Sequence, residues 1–311
     1  MINQYVIGES AELLSQIDSG SVDLIYGDPP YNTGRDFFHF SDRFTSVEDY
    51  RDKLMLPILR ECKRVLKPTG NIVIHIEPRI SHHIRFMLDE VFGSNKYVNE
   101  VAWVSGGNHH STKQMQRNHD TLLIYKNGAT SFYQPEYLPY RQEDIDKAKI
   151  CSVRKEPYTT SALVNRQADV IQRPNLRYEW NGNYEQWWVS KKKMQELHDD
   201  NRLEYSANTG IPRVKKYYSE MRGIPIKDVW SDIKQIQAPE KLDYATQKPV
   251  KLLERIVNMF SPEGGVVLDP FAGSGTTGRA CIKTNRDFIL LDINDDGKKL
   301  FESSIDMAVV V

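Results

Sequence analysis

Cysteine is scarce in this chain. The only three, Cys62, Cys151 and Cys281, stand far apart in 311 residues. They form no CxxC pair and no zinc-finger spacing, so the pattern predicts reduced thiols in a cytosolic setting, without a disulfide framework. Long apolar runs are missing as well. None approaches the roughly 20 residues that a bilayer-spanning helix needs. The stretch Met1 to Tyr5 lacks the basic and apolar regions of a signal peptide, so no membrane association is expected. Charge of one sign is also lacking, with 41 Lys and Arg against 42 Asp and Glu and a formal net charge of −1. A whole-chain sum this close to zero neither favours nor excludes nucleic acid, and charge has to be read by segment.

Read that way, it is uneven. Between Cys151 and Lys227, 14 Lys and Arg stand against nine Asp and Glu, net +5, which leaves −6 for the remainder. The surrounding stretch, about residues 131–231, interleaves these cations with Tyr158, Tyr178, Trp180, Tyr184, Trp187, Trp188, Tyr205, Tyr217 and Tyr218. No regular strand–helix alternation is visible there. It reads as an insertion, with Trp187 and Trp188 expected in the core of a small subdomain. Lys191, Lys192 and Lys193 form its densest basic patch.

On either side, strands and helices alternate. Tyr5 to Ile7, Val22 to Tyr26, Asn71 to Ile76, Tyr97 to Val104 and Thr121 to Tyr125 are predicted strands. Helices are predicted at Ala11 to Ile17, from a Ser46 cap towards Leu66, and from Ile80 to Phe92. Pro68-Thr69-Gly70 is expected to break the second helix. After the insertion, Pro249 opens a helix with Leu253, Ile256, Val257 and Phe260 on one face. Gly265 to Leu268 is then a strand, Thr276 to Lys283 a helix and Asp287 to Leu291 a strand. The alternation predicts an α/β sheet covered on both faces. The divisions expected are residues 1–130, 131–235 and 236–311. The long polar link from Ser105 to Asp120, with Lys113 and Arg117, is either a solvated loop or a functional one.

Two turns carry chemistry. The first, Asp269-Pro-Phe-Ala-Gly-Ser-Gly-Thr-Thr-Gly278, joins a strand to a helix, and its glycines at 273, 275 and 278 fit GxGxxG. Small residues there let backbone approach a ligand, and the helix N-terminus presents free N–H groups. Asp292, at the end of the next strand, is placed to accept hydrogen bonds from ribose hydroxyls. An adenosine-containing ligand is the reading preferred over a tight structural turn. No GK[ST] follows the glycines, which argues against a P-loop. A dinucleotide would need a second nucleotide half, and such a fingerprint usually opens its domain rather than closing it.

The second turn, Asp28-Pro29-Pro30-Tyr31, directly follows a buried strand. Neither proline can donate a backbone hydrogen bond, so the turn offers acceptors: the Asp28 carboxylate and the Pro29 carbonyl. An amino group with two N–H donors fits that row, and Tyr31 adds a ring on which a base can stack. Held this way, the nitrogen lone pair is free to attack a sulfonium methyl by positioning and electrostatics alone. The competing reading is a stiff turn with no chemistry. Cytosine C5 methylation is disfavoured because it needs a nucleophilic cysteine, which in the matching family follows a proline, and Cys62, Cys151 and Cys281 follow Glu61, Ile150 and Ala280. No metal is expected, since His82-His83 and His109-His110 are adjacent pairs rather than an i, i+4 helical pair.

With both turns in view, the chain resembles the amino-methylating DNA methyltransferases, which act on N6 of adenine or N4 of cytosine. The order DPPY, variable region, FxGxG (Phe271, Gly273, Gly275) resembles the beta class, and Thr246-Gln247-Lys248-Pro249 matches the TQKP segment of that class. Asp28 to Gly34 with Asp36-Phe37 is similar to the modification subunits of type III restriction systems. So is Trp103 to Tyr125, with Asn118-His119-Asp120 where the family shows His-Glu. A looser likeness covers Arg173-Pro-Asn-Leu176 and Gly223 to Asp232.

The resemblance implies a Rossmann-like, circularly permuted S-adenosylmethionine-dependent fold with an inserted target-recognition region. It implies Asp28, Pro29, Pro30 and Tyr31 at the target base. Around the cofactor it implies Asp269, Phe271, Gly273, Gly275 and Thr276, with Asp292 on the ribose, Gln247 and Lys248 alongside, and Glu9 at the adenine. Family members often read Gly-Asp where this chain has Gly8-Glu9. Lys113, Arg117, Lys191, Lys192 and Lys193 are expected to contact DNA phosphates. Family usage leans DPPY towards adenine, with N4-cytosine as runner-up. An inactive DNA-binding homologue and a nicotinamide dehydrogenase are the other readings. The type III subunits are much longer, so a stand-alone or phage-type cytoplasmic enzyme fits as well as a restriction partner, and a homodimer is open.

Overall fold

The computed structural model describes residues 1–32, 35–36, 41–106, 115–167, 173–236, 238 and 240–308. The chain forms two compact units, Met1–Glu136 with Ile226–Val311, and Tyr137–Pro225.

The first unit is built on an eight-stranded sheet: β1 (Gln4–Ile7), β2 (Val22–Gly27), β3 (Leu66–Ile76), β4 (Tyr97–Trp103), β5 (Asp120–Lys126), β6 (Val229–Trp230), β7 (Val266–Asp269) and β8 (Asp287–Asp292). Their order across the sheet is β1-β8-β7-β2-β3-β5-β4-β6. Every neighbouring pair is parallel except those made by β5, which runs antiparallel to both β3 and β4. The central strand β2 is buried along its whole length, as a parallel strand covered on both faces must be.

Alternation along β2 divides its side chains between two cores. Ile25 packs with Leu14, Leu59, Ile84 and Leu123. Leu24 and Tyr26 pack with Val73, Leu122, Ile256 and Leu290. The first face is covered by α1 (Ser10–Ser15), α2 (Leu56–Val65) and α3 (Pro78–Phe92), the second by α4 (Val250–Phe260), α5 (Thr276–Lys283) and α6 (Asp295–Ala308). The predicted stripe Leu253, Ile256, Val257 and Phe260 is fully buried on α4. Ser46 accepts from the Asp49 N–H at 3.1 Å, as expected of a cap, and a π-helical turn at Arg51–Met55 leads into α2.

Pro68-Thr69-Gly70 does not separate helix from strand. Strand β3 runs through it, with Val22 opposite Leu66 but Leu24 opposite Asn71, so the tripeptide sits in a bulge. The helix α6 and the two-residue edge strand β6 were not anticipated. All three cysteines are free thiols in buried positions. Among the described residues no helix is long and apolar enough to cross a membrane.

The second unit contains a four-stranded antiparallel sheet, ordered Leu203–Tyr205, Pro212–Tyr217, Pro157–Ala162, Lys149–Ile150. A hairpin pairs Arg177–Trp180 with Asn183–Gln186 across Asn181-Gly182, both at positive φ, as a tight primed turn requires. Its core gathers Leu163, Val164, Trp187, Met194 and Leu203. The two adjacent tryptophans part company. Trp187 is fully buried and donates to the Tyr178 carbonyl at 2.8 Å, whereas Trp188 is 39% exposed with the Arg173 guanidinium 5.7 Å from its ring. Trp187 forms a bridge with Val164, and in extended backbone the next side chain points the other way.

Candidate active site

Four neighbouring parallel strands, β1, β8, β7 and β2, each deliver an acidic residue at or just beyond the C-terminal end. These are Glu9, Asp292, Asp269 and Asp28. The chain leaves β7 for β8 on one side and β2 for β3 on the other. A crevice therefore opens where the strand order reverses, the usual place for a ligand in an open α/β sheet. All four acids line one cleft there, with Phe271, Gly273 and Thr276 on one wall and Pro29, Pro30, Tyr31 and Lys248 on another.

The glycine turn is pinned from several sides. Asp269 accepts from the Phe271 N–H at 2.9 Å and the Thr277 hydroxyl at 2.5 Å. Burial raises its pKa to about 7. Asp292 accepts from the Gly273 N–H at 2.8 Å and the Asn294 N–H at 3.0 Å. Tyr5 donates to the Gly273 carbonyl at 2.6 Å, and Ser10 to the Pro270 carbonyl at 2.6 Å. Gly273 has φ +51° and Gly275 φ +72°, conformations in which a Cβ is strained. A Cβ on Gly275 would also lie 2.5 Å from the Phe301 ring.

The DPPY turn is braced in a way that leaves its acceptors in order. Tyr50 donates to the Pro30 carbonyl at 2.8 Å, and Arg79 reaches the Tyr31 and Asn32 carbonyls at 3.4 and 3.2 Å. Among the described residues no hydrogen bond uses the Pro29 carbonyl. The Tyr31 hydroxyl donates to Asp28 Oδ1 at 2.6 Å, while Lys248 Nζ donates to Asp28 Oδ2. Burial first, then the Asp28 charge, pushes the Tyr31 hydroxyl well above its ordinary pKa, so it stays a donor.

Beneath the turn lies a buried polar chain. Tyr26 Oη is 2.9 Å from His75 Nδ1, and His75 Nε2 is 3.3 Å from Asp120 Oδ2. Burial opposes the charge on Asp120, but the His75 hydrogen bond and the nearby Lys248 and Arg117 cations outweigh it and lower its pKa.

The structure brings Glu9, Asp28, Pro29, Pro30, Tyr31, Lys248, Asp269, Phe271, Gly273, Thr276 and Asp292 into one cleft. Two residues implied at the cofactor do not line this cleft. Gln247 turns its amide onto the Leu242 N–H and the Glu240 carbonyl and holds its own loop. Gly275 does not line the cleft and packs against Phe301 instead. Lys248 is in the cleft but rests on Asp28. Arg117 donates to the buried Glu77 carboxylate. Lys113, and Thr33, Gly34 and Phe37 of the DPPY-flanking string, lie outside the described residues. Lys191, Lys192 and Lys193 are exposed in the first turn of the helix Lys191–Asp199 in the second unit.

The sequence reading missed Tyr26, Ser10, Tyr244 and Thr246, all of which line the cleft. Tyr26 had a usable signal, since it precedes Asp28 by two residues and so shares its side of an extended strand. Tyr244 had none. Among the described residues no group of three or more His, Cys, Asp or Glu is arranged to hold a metal.

The Mod subunit of the type III restriction-modification enzyme StyLTI of Salmonella typhimurium is 27% identical over 94% of this chain and 52% of its own length. This chain thus spans about half the length of that relative. The DNA adenine methyltransferase YhdJ of Escherichia coli is 26% identical, over 97% of this chain and 82% of its own. Among solved structures, TTHA0409 of Thermus thermophilus, in complex with S-adenosyl-L-methionine, superposes with a TM-score of 0.52 at 18% identity. The match covers 96% of this chain and 92% of that one and shows the shared methyltransferase fold. A family model described as DNA methylase matches residues 22–303, and the chain belongs to that family, the N6/N4 DNA methylases.

Proposed function

We propose that this protein is a site-specific DNA methyltransferase. On this reading it transfers a methyl group from S-adenosylmethionine to an exocyclic amino nitrogen, N6 of adenine ahead of N4 of cytosine. One observation carries the reading: the acceptor turn at Asp28 and the glycine turn at Gly273, 245 residues apart in sequence, end adjacent strands and line the same cleft.

The cleft fits the methyl donor by its chemistry. On the cofactor side Glu9 and Asp292 supply carboxylates for ribose and adenine donors, the buried Asp269 holds the glycine turn, and Phe271, Leu54 and Ile58 supply apolar wall. A side chain at Gly273 would lie 3.2 Å from Tyr244 and narrow the cradle. Asp292 and Glu9 are assigned to the adenosine portion, with Phe271, Gly273 and Thr276 against it. Bound there, S-adenosylmethionine supplies an electrophilic methyl group.

The chain's own residues do the rest by position. Asp28 and the Pro29 carbonyl accept the two protons of the amino group, which fixes the nitrogen and leaves its lone pair exposed. Tyr31 offers a ring face for a base drawn out of the duplex. The unit Tyr137–Pro225, which carries most of the +5 segment, is assigned to reading DNA. With the base-binding turn first and the cofactor turn last, the chain order is that of a circularly permuted methyltransferase.

The preference for adenine rests on the DPPY spelling and on the adenine-methylating relative. It is tested by incubating the full chain with DNA and methyl-labelled S-adenosylmethionine, digesting the product to nucleosides and weighing them. N6-methyladenine is expected. N4-methylcytosine alone would move the assignment to cytosine, and DNA without label would end it. Mapping the methylated positions supplies the recognition sequence.

A further inference from the structure

Lys248, expected beside the cofactor, contacts the Asp28 and Tyr31 side chains of the DPPY turn. It immediately precedes Pro249, which caps α4, and its side chain is only 14% exposed. Its ammonium donates to Asp28 Oδ2, lies 3.3 Å from the Tyr31 hydroxyl and stands 5.4 Å from the centre of the Tyr31 ring. Both Asp28 and the ring are assigned above to the target base. Lys248 therefore stands beside the groups assigned to the base.

Side by side, the Asp28 carboxylate and the Lys248 ammonium present an acceptor next to a donor. The two amino groups that the N6/N4 family methylates, N6 of adenine and N4 of cytosine, present the complement. In adenine and cytosine alike, the amino donor is flanked by a ring nitrogen carrying a lone pair. Guanine and thymine show the reverse there, a carbonyl acceptor flanked by a ring N–H. A carboxylate alone would grip any N–H donor, including the ring N–H of thymine. The adjacent cation adds a partner for the ring lone pair and a clash of donors for the ring N–H. It also keeps the enclosed carboxylate paired, which matters because an uncompensated buried charge is costly.

Resting on the base-methylation reading above, we propose that Lys248 is a specificity-determining residue that donates to the ring nitrogen beside the target amino group, N1 of adenine or N3 of cytosine. Asp28 and Lys248 then read the base as a pair, and the segment between the insertion and α4 contributes to base choice as well as to the cofactor side.

The test is a double-mutant cycle between protein and DNA. Once mapping has identified the methylated base, it is replaced in a synthetic duplex by the analogue with carbon in place of that ring nitrogen, 1-deazaadenine or 3-deazacytosine. The amino group is kept. kcat/KM is measured for wild type, Lys248→Met and Lys248→Arg on both duplexes, and S-adenosylmethionine affinity by calorimetry. Wild type should lose on the order of 10- to 100-fold on the analogue, the scale of one hydrogen bond to a charged group. Lys248→Met should lose a similar factor on the natural base and little more on the analogue. Lys248→Arg, which keeps a donor, should retain discrimination, and cofactor affinity should stay within about threefold in both.

Equal penalties for the analogue with and without Lys248 overturn the proposal, as does a Lys248→Met variant whose defect is lost cofactor binding. If Lys248→Met fails to fold, a wild type or Lys248→Arg enzyme indifferent to the analogue overturns it equally. A wild type that methylates no DNA overturns the base-methylation reading and this proposal with it. A wild type active on natural DNA that fails the cycle overturns this proposal alone.

Discussion

Tyr26 and His75 meet beneath the cleft, hydroxyl oxygen to Nδ1 at 2.9 Å. His75 is fully buried, and its Nε2 faces the Asp120 carboxylate at 3.3 Å. A carboxylate accepts only, so in the neutral imidazole Nε2 carries the proton, Nδ1 accepts and Tyr26 donates. Tyr26→Phe removes that donor and leaves a buried nitrogen unpaired, at a cost of about 1–3 kcal/mol. The urea midpoint should fall accordingly with an unchanged m-value. A midpoint equal to that of wild type would mean the chain is not a structural tie.

Asp269 gives the fold a particular pH dependence. Its pKa in the folded protein is raised to about 7, chiefly by burial, against about 3.9 in an unfolded chain. Between those values the folded state holds the extra proton, so this group's contribution to stability falls as pH rises and the loss is complete above about 7. From pH 5 to pH 8 the loss is about 2–3 kcal/mol. Asp269→Asn cannot ionise, so its stability relative to wild type should climb by that amount over the same interval. Denaturation at the two pH values measures it, and a pH-independent difference would show that Asp269 does not titrate there.

Gly297 belongs to no motif, yet the glycine turn depends on it. A Cβ at this position of α6 would lie 1.9 Å from the Gly273 carbonyl oxygen and 2.7 Å from the Tyr5 hydroxyl that binds it. Neither neighbour is a flexible chain end. Gly297→Ala should push α6 off the turn, cost about 1–3 kcal/mol as overpacking does, and weaken S-adenosylmethionine binding at least about tenfold. Calorimetry and a thermal melt read both. A variant with native affinity would show that the turn tolerates the displacement.

What could be read in advance follows the range of the forces involved. Most strands and helices of the first unit, though not α6 or β6, were legible because burial stamps a local period on the sequence, as at Leu253, Ile256, Val257 and Phe260. The two turns were legible because prolines and glycines fix backbone locally. The second unit was not, although Asn181-Gly182 was a hairpin signal in plain view. Its strands are short, and Pro212–Tyr217 reads PRVKKY, with Lys215 buried and Lys216 exposed, which leaves no clean apolar face. The contacts of Lys248 and Gln247 were out of reach. Adjacent in sequence, one reaches 220 residues back to Asp28 and the other turns onto its own loop.

Lys191 and Lys192 are placed against the interest of their own helix. They occupy the first turn, where no acid stands although the macrodipole favours acids there. The Ser190 side chain caps the helix from Lys193 N–H at 3.2 Å, so its start does not need the lysines. Lys193 differs, because its ammonium pairs with Glu196 at 2.9 Å. Replacing Lys191 and Lys192 by Gln should therefore leave stability unchanged or raise it by a few tenths of a kcal/mol up to about 1 kcal/mol. If the two contact phosphates, the same change should lower the slope of log K against log salt for DNA binding by about 2, near 0.9 per contact. Lys193→Gln should change it less. The two readouts have opposite signs for a structural and a DNA-binding role: lost stability with an unchanged slope would assign the lysines to the fold and remove them from the DNA surface.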